Sequence, residues 1–165
     1  MTPIEEIELI KDFERYFEYH SDGYLIRKKS LPGSGPSGSI VKSHPNKKTG
    51  HSTIGFKKKN YYVHRVIFAI VNGYFPDQVD HIDRNPLNNK IENLRECTAL
   101  QNMWNRTRNK DGNIKGLDFH GATNRWRGRI KVSGAVHFFQ SKDKEKVILW
   151  LAESRSKLHG EFACA

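Results

Sequence analysis

Residues 79–102 read VDHIDRNPLNNKIENLRECTALQN, and the rest of the chain is organised around them. The stretch carries Asp80, His81 and Asp83, four asparagines before Leu94 (Asn85, Asn88, Asn89 and Asn93) and a fifth, Asn102, at its end. Val79 to His81 predicts a short strand running into a polar loop. Thr98 followed by Gln101 has the spacing of a helix capping box, which puts Asn102 in the first turn of a helix. Strand, loop, strand and helix together make a hairpin set against a helix. The chemistry points the same way. A hard divalent cation takes oxygen donors such as a carboxylate and an amide carbonyl, and an imidazole with a pKa near ~6.5 takes a proton from water at neutral pH. Asp80, Asn102 and His81 supply those groups. The blander reading is an asparagine-rich turn beside an ordinary surface histidine.

These residues resemble the ββα-metal motif of HNH endonucleases, above all the phage and intron-encoded homing type. Asp80-His81, Asn88-Asn89, Asn93-Leu94-Arg95 and Asn102 match that motif in order and spacing, and Tyr62-Val63-His64-Arg65 is similar to what phage members carry just upstream. The resemblance implies His81 as general base, Asp80 and Asn102 as ligands of one Mg²⁺ or Mn²⁺ ion per site, and Asn93 as the brace that orients His81. Asp83 then serves as a loop hydrogen-bond acceptor. Where the family varies between His and Asn, this chain has Asn102. A neutral amide holds Mg²⁺ less strongly than a carboxylate, so a DNA phosphate is expected to complete the coordination shell. The cysteine pairs that hold structural zinc in other HNH branches are missing, since Cys97 and Cys164 are the only cysteines.

Upstream, Val63, Val66, Ile67, Ile70 and Val71 recur at helical spacing and Gly73 follows, which predicts an amphipathic helix with a glycine stop. His64 and Arg65 fall in its first turn and read as a helix-surface pair, with Arg65 in reach of a phosphate. Between Val41 and Lys59 stand six lysines and no acidic residue, a solvated loop or a polyanion contact. Residues 31–39, LPGSGPSGS, read as a flexible loop. Phe17 to His20 and Tyr24 to Arg27 flank Ser21-Asp22-Gly23 and predict a hairpin. Residues 1–22 hold seven acidic side chains against two basic ones, with no role assigned.

Downstream, short strands from Asn113 onward are separated by residues 121–124 and by Ser133-Gly134, and a helix runs from about Asp143 to Leu158. In the middle strand Trp126, Ile130 and Val132 alternate onto one face around Gly128. Arg125, Arg127, Arg129 and Lys131 take the other. A sheet of this kind in a DNA groove presents cations to phosphates and base edges together. Lys115-Gly116-Leu117, Arg125-Trp126-Arg127 and the helix resemble an AP2-type DNA-binding domain, and Leu158 to Phe162 resembles the ending of such proteins. With these four cations, Arg65, Arg95, Arg106 and Lys115 are the expected DNA contacts.

A length of 165 residues holds one or two small modules, and a formal charge of +10 favours a polyanionic partner, nucleic acid before an anionic membrane surface. No stretch approaches the ~18 apolar residues of a membrane span, and the N-terminus lacks a secretory pattern. Two distant cysteines fit a reducing compartment, the cytoplasm of a host cell if phage-encoded. The expected fold is α+β: an acidic segment and hairpin over 1–40, an HNH ββα-metal module over 41–110, and an AP2-like three-stranded sheet with a helix over 111–165. The expected function is metal-dependent cleavage of double-stranded DNA, with no membrane and no protein partner indicated. A non-cutting DNA-binding regulator on the same scaffold is the first alternative. An RNA-binding protein is the second, and it gives no reason for the Asp-His pair.

Overall fold

A computed structural model describes residues 2–30, 32–105 and 114–163. The chain divides into two units, Met1–Thr98 and Ala99–Ala165. The acidic N-terminus, given no element from sequence, is a helix, α1 (Pro3–Tyr16). Thr2 caps it: its hydroxyl accepts from the Glu5 amide, while the Glu5 carboxylate accepts the Thr2 N–H at 2.8 Å. Ile10 and Phe13 face inward. The predicted hairpin follows as β1 (Phe17–His20) and β2 (Tyr24–Arg27), with His20 opposite Tyr24. Gly23 turns it at φ +88°, and a Cβ there would lie 2.7 Å from the Lys90 amide nitrogen. The hairpin thus lies directly against the polar loop, where the Tyr19 hydroxyl accepts from the Ile91 N–H at 3.0 Å.

The lysine-rich stretch is a small sheet rather than a loop: β3 (His44–Pro45), β4 (Ser52–Phe56) and β5 (Lys59–Tyr62), antiparallel in that order. Lys57 and Lys58 make the β4–β5 turn with φ of 47° and 63°, and Lys57 pairs with Asp12 on α1. Then comes α2 (Val63–Asn72), ended by a left-handed Gly73 whose N–H donates to the Ala69 carbonyl. Its buried side chains Val66 and Ile67 join Phe13, Phe17, Leu25, Ile54, Phe56, Val79 and Leu94 in one core. Phe13 packs its ring against those of Phe17, Phe56, Tyr61 and Phe75, at centroid distances of 5.1 to 6.3 Å. Residues 1–40 and 41–98 therefore share one hydrophobic interior. Last in this unit are β6 (Gln78–His81) and β7 (Leu94–Cys97), antiparallel, with Asp80 opposite Arg95 and His81 opposite Leu94.

The second unit starts with α3 (Ala99–Trp104), in which Asn102 lies in the first turn. Its sheet is antiparallel in the order β10 (Ala135–Ser141), β9 (Arg125–Val132), β8 (Leu117–His120). The helix α4 (Lys144–His159) is capped by Asp143, which accepts from the Glu145 amide at 2.9 Å. Ile130, Val147 and Leu151 form the core, with Trp126, Phe139 and Trp150 packed around them. At Gly128 a Cβ would sit 2.9 Å from the Trp150 ring, so the indole occupies the space a side chain would take. Arg106, with Arg108, Lys110 and Asn113, lies outside the described residues, as does Cys164. Among the described residues no helix is long and apolar enough to cross a membrane.

Candidate active site

Asp80 and His81 end β6 and are 6% and 4% exposed. Burial of two polar side chains needs partners. Arg95, directly across the hairpin, donates to Asp80 Oδ2 from Nε at 3.0 Å and from Nη2 at 2.8 Å. His81 Nε2 lies 3.1 Å from Asn89 Oδ1. An amide oxygen only accepts, so the imidazole carries its hydrogen on Nε2. The His81 ring nitrogen thus meets Asn89; the resemblance gave the orienting role to Asn93.

Asn93 braces the loop itself. Its Oδ1 accepts the Asp83 N–H at 3.0 Å, and its Nδ2 donates to Asp83 Oδ1 at 2.9 Å and to the Asn88 carbonyl at 2.8 Å. Asp83 also accepts from the Asn85 amide at 2.8 Å and from Asn88 Nδ2 at 2.6 Å, the acceptor role expected from sequence. Burial works to raise the Asp83 carboxyl, but the hydrogen bonds from Asn88, Asn85 and Asn93 outweigh it and hold the group below the usual range. The asparagine density follows, because each amide donates and accepts and so closes a loop with little core. Asn93→Ala is expected to slow DNA cleavage about 10–100-fold through the slackened loop, while far-ultraviolet circular dichroism stays native. A single-turnover rate checks it.

His64 departs from its expected surface position. It is 5% exposed and packs on His81, with ring centroids 4.9 Å apart, and His51 closes the group at 4.7 Å from His64 and 5.3 Å from His81. His64 Nδ1 is buried without a hydrogen-bond partner. Burial first, then the neighbouring imidazoles His81 and His51, push the His64 pKa down to about 2, and burial lowers His51 as well. The folded ring stays neutral, whereas the unfolded ring takes a proton below about 6.5. Stability is therefore full above that pH and is lost as pH falls, by up to about 1.4 kcal/mol per pH unit for one such group. Urea unfolding at pH 7 and pH 5 is expected to show this loss, with a smaller slope in His64→Gln.

Arg65 donates to the backbone carbonyls of Asp77 at 3.1 Å and Pro76 at 2.8 Å, and so clamps the segment that leads into β6. On β9, Arg125, Arg127, Arg129 and Lys131 share one face, but Asp118 on β8 pairs with Arg127 and lies 3.2 Å from Arg129. Val136 and Phe138, opposite Lys131 and Arg129, are 61% and 51% exposed, which adds an apolar strip beside the cations. Lys115 Nζ donates to the Met103 carbonyl at 2.8 Å. The Cys97 thiol is buried and pushed up to about 11, so it is no nucleophile.

No group of three or more His, Cys, Asp or Glu among the described residues forms a cage for a metal ion. The donor set on the hairpin is a single buried carboxylate, Asp80. That fits a cation held by few protein oxygens and completed by substrate phosphate, as Mg²⁺ commonly is. A family model described as HNH endonuclease matches residues 61–104. The chain is 36% identical over 104 residues to Protein 3.8 of Escherichia phage T7, a match that covers 61% of this chain and 86% of that protein. It is 32% identical over 105 residues to an uncharacterized HNH endonuclease of Acanthamoeba polyphaga mimivirus, covering 61% of this chain and 54% of the relative. A solved structure, described as DNA binding and cleavage by the HNH homing endonuclease I-HmuI, is 21% identical, with a TM-score of 0.47 and coverage of 91% and 88% of the two chains.

Proposed function

The chain carries an HNH endonuclease domain, matched over residues 61–104, and we propose that it is a metal-dependent DNA endonuclease of the homing type that hydrolyses a phosphodiester bond. One observation carries the reading: a buried Asp80-His81 pair at the end of a strand, with the imidazole held by Asn89, inside the matched segment. Donation of Nε2–H to Asn89 selects the tautomer whose Nδ1 is the basic nitrogen. Through it His81 takes a proton from the attacking water. Asp80 and Asn102 would hold one Mg²⁺ or Mn²⁺ ion, which when bound stabilises the charge that develops at the scissile phosphate and on the leaving 3′ oxygen. Asn93 fixes the loop that carries Asn89, and Arg95 holds the Asp80 carboxylate across the hairpin. The C-terminal sheet and helix would act as an AP2-like module, with Arg125, Arg127, Arg129 and Lys131 set toward double-stranded DNA. Arg106, Lys115 and Arg65 belong to the same proposal as further phosphate contacts.

A second reading, a DNA-binding regulator that does not cut, draws on Arg95, whose two donors already satisfy Asp80 Oδ2. Supercoiled plasmid with Mg²⁺ separates the two. The endonuclease is expected to give nicked or linear product that DNA ligase reseals without prior end repair, because 5′-phosphate and 3′-hydroxyl ends follow from water attack with a 3′ oxygen leaving. Binding with the plasmid left intact, on cognate phage DNA as well, supports the regulator.

A further inference from the structure

The first unit holds an open cavity of about 930 Å³ between residues 32–42 and the β4–β5 turn, lined by none of the hairpin residues Asp80, His81 and Arg95. Five cations line it, Arg27, Lys42, Lys57, Lys58 and Lys59, and no Asp or Glu does. Lys57 is engaged by Asp12, while Lys42, Lys58 and Lys59 are exposed at the rim. Arg27 differs from these. It is 8% exposed, its Nε is buried with no hydrogen-bond partner, and no carboxylate among the described residues pairs with it. Its backbone is fixed at both ends, with its N–H donating to the Ser39 carbonyl at 2.9 Å and its own carbonyl accepting from Gly38 at 2.7 Å. Gly35 lies beside the guanidinium, where a Cβ would stand 3.8 Å from Nε and 2.9 Å from Ser39 Oγ.

A buried guanidinium with an unused donor is costly to retain in a fold unless an anion completes it. We propose that this cavity is a phosphate-binding site, with Arg27 as its seat and Lys42, Lys58 and Lys59 as its rim. A guanidinium presents paired donors that match two phosphate oxygens, and the lysines add charge without demanding geometry. The volume is far more than one phosphate ion fills, which favours a phosphate carried on a nucleic-acid strand over a free anion. The site gives a role to Lys42, Lys58 and Lys59, three of the six lysines between Val41 and Lys59. It stands independently of whether the hairpin cuts.

The test follows the arginine Nε–H resonances of the full chain by ¹H–¹⁵N NMR in EDTA, titrated separately with inorganic phosphate and with duplex DNA. Arg27→Lys identifies the Arg27 signal. That signal is expected to shift saturably with DNA. The exposed-rim variant Lys42→Ala/Lys59→Ala is expected to keep the fold and to lower the salt slope of DNA binding by roughly 2. A shift with phosphate as well supports a seat that also takes the free anion, whereas a shift with DNA alone assigns a strand phosphate. An Arg27 Nε–H that neither titrant moves overturns the site, and so does an unchanged salt slope in the rim variant. A chain that cuts DNA with Arg27 unmoved refutes this site alone; a moved Arg27 in a chain that does not cut leaves it standing.

Discussion

His81→Ala is expected to reduce the single-turnover rate of DNA cleavage by about 10²–10⁴-fold, the usual worth of a positioned general base, with DNA affinity nearly unchanged. The division follows from the position of the ring. His81 is 4% exposed, at the end of β6, where its ring meets Asn89 and the His64 ring inside the first unit. Affinity should reside in the lysines and arginines, whose phosphate contacts set the salt slope. Gel-shift titration beside quenched cleavage assays reads both quantities on one preparation. Equal loss of binding and cleavage would assign His81 to holding DNA.

Phe13→Ala is expected to destabilise the first unit by about 3–5 kcal/mol, the range for a large aromatic deleted from a packed core. Phe13 has no exposed surface and meets four other aromatic rings from β1, β4, β5 and the segment after α2. Its loss removes packing between α1 and the elements that carry the site, so thermal unfolding should shift the whole of residues 2–98 together. A separate, lower-temperature melt of residues 1–40 would show that they fold apart from the rest.

What was legible in the sequence was what local order encodes. The five apolar positions of α2, the alternation along β9 and the turn at residues 21–23 each reflect one element's own period, and each forms. The ordered set from Asp80 to Asn93 was legible because few structures need so many amides together, and those amides do close the loop. Tertiary partners were not legible. Whether Asn89 or Asn93 meets His81 depends on side-chain direction within one loop. His64 reads as a surface residue because it is packed by His51, just before β4, and His81, at the end of β6, neither of which is a sequence neighbour. The pairing of Arg127 with Asp118 requires the β8–β9 register, which composition does not contain. For α1 the sequence signal is local, Thr2-Pro3 with Glu5 three residues after the cap.

The most direct measurement is the rate at which the wild-type chain converts supercoiled plasmid carrying phage DNA, with Mg²⁺ or Mn²⁺ and with EDTA, beside His81→Ala. Conversion to nicked or linear DNA that requires the divalent ion and falls by orders of magnitude in the variant is the predicted result. Cleavage that persists in EDTA, or that His81→Ala retains at the wild-type rate, would contradict the assignment of the Asp80-His81 hairpin as the cutting site.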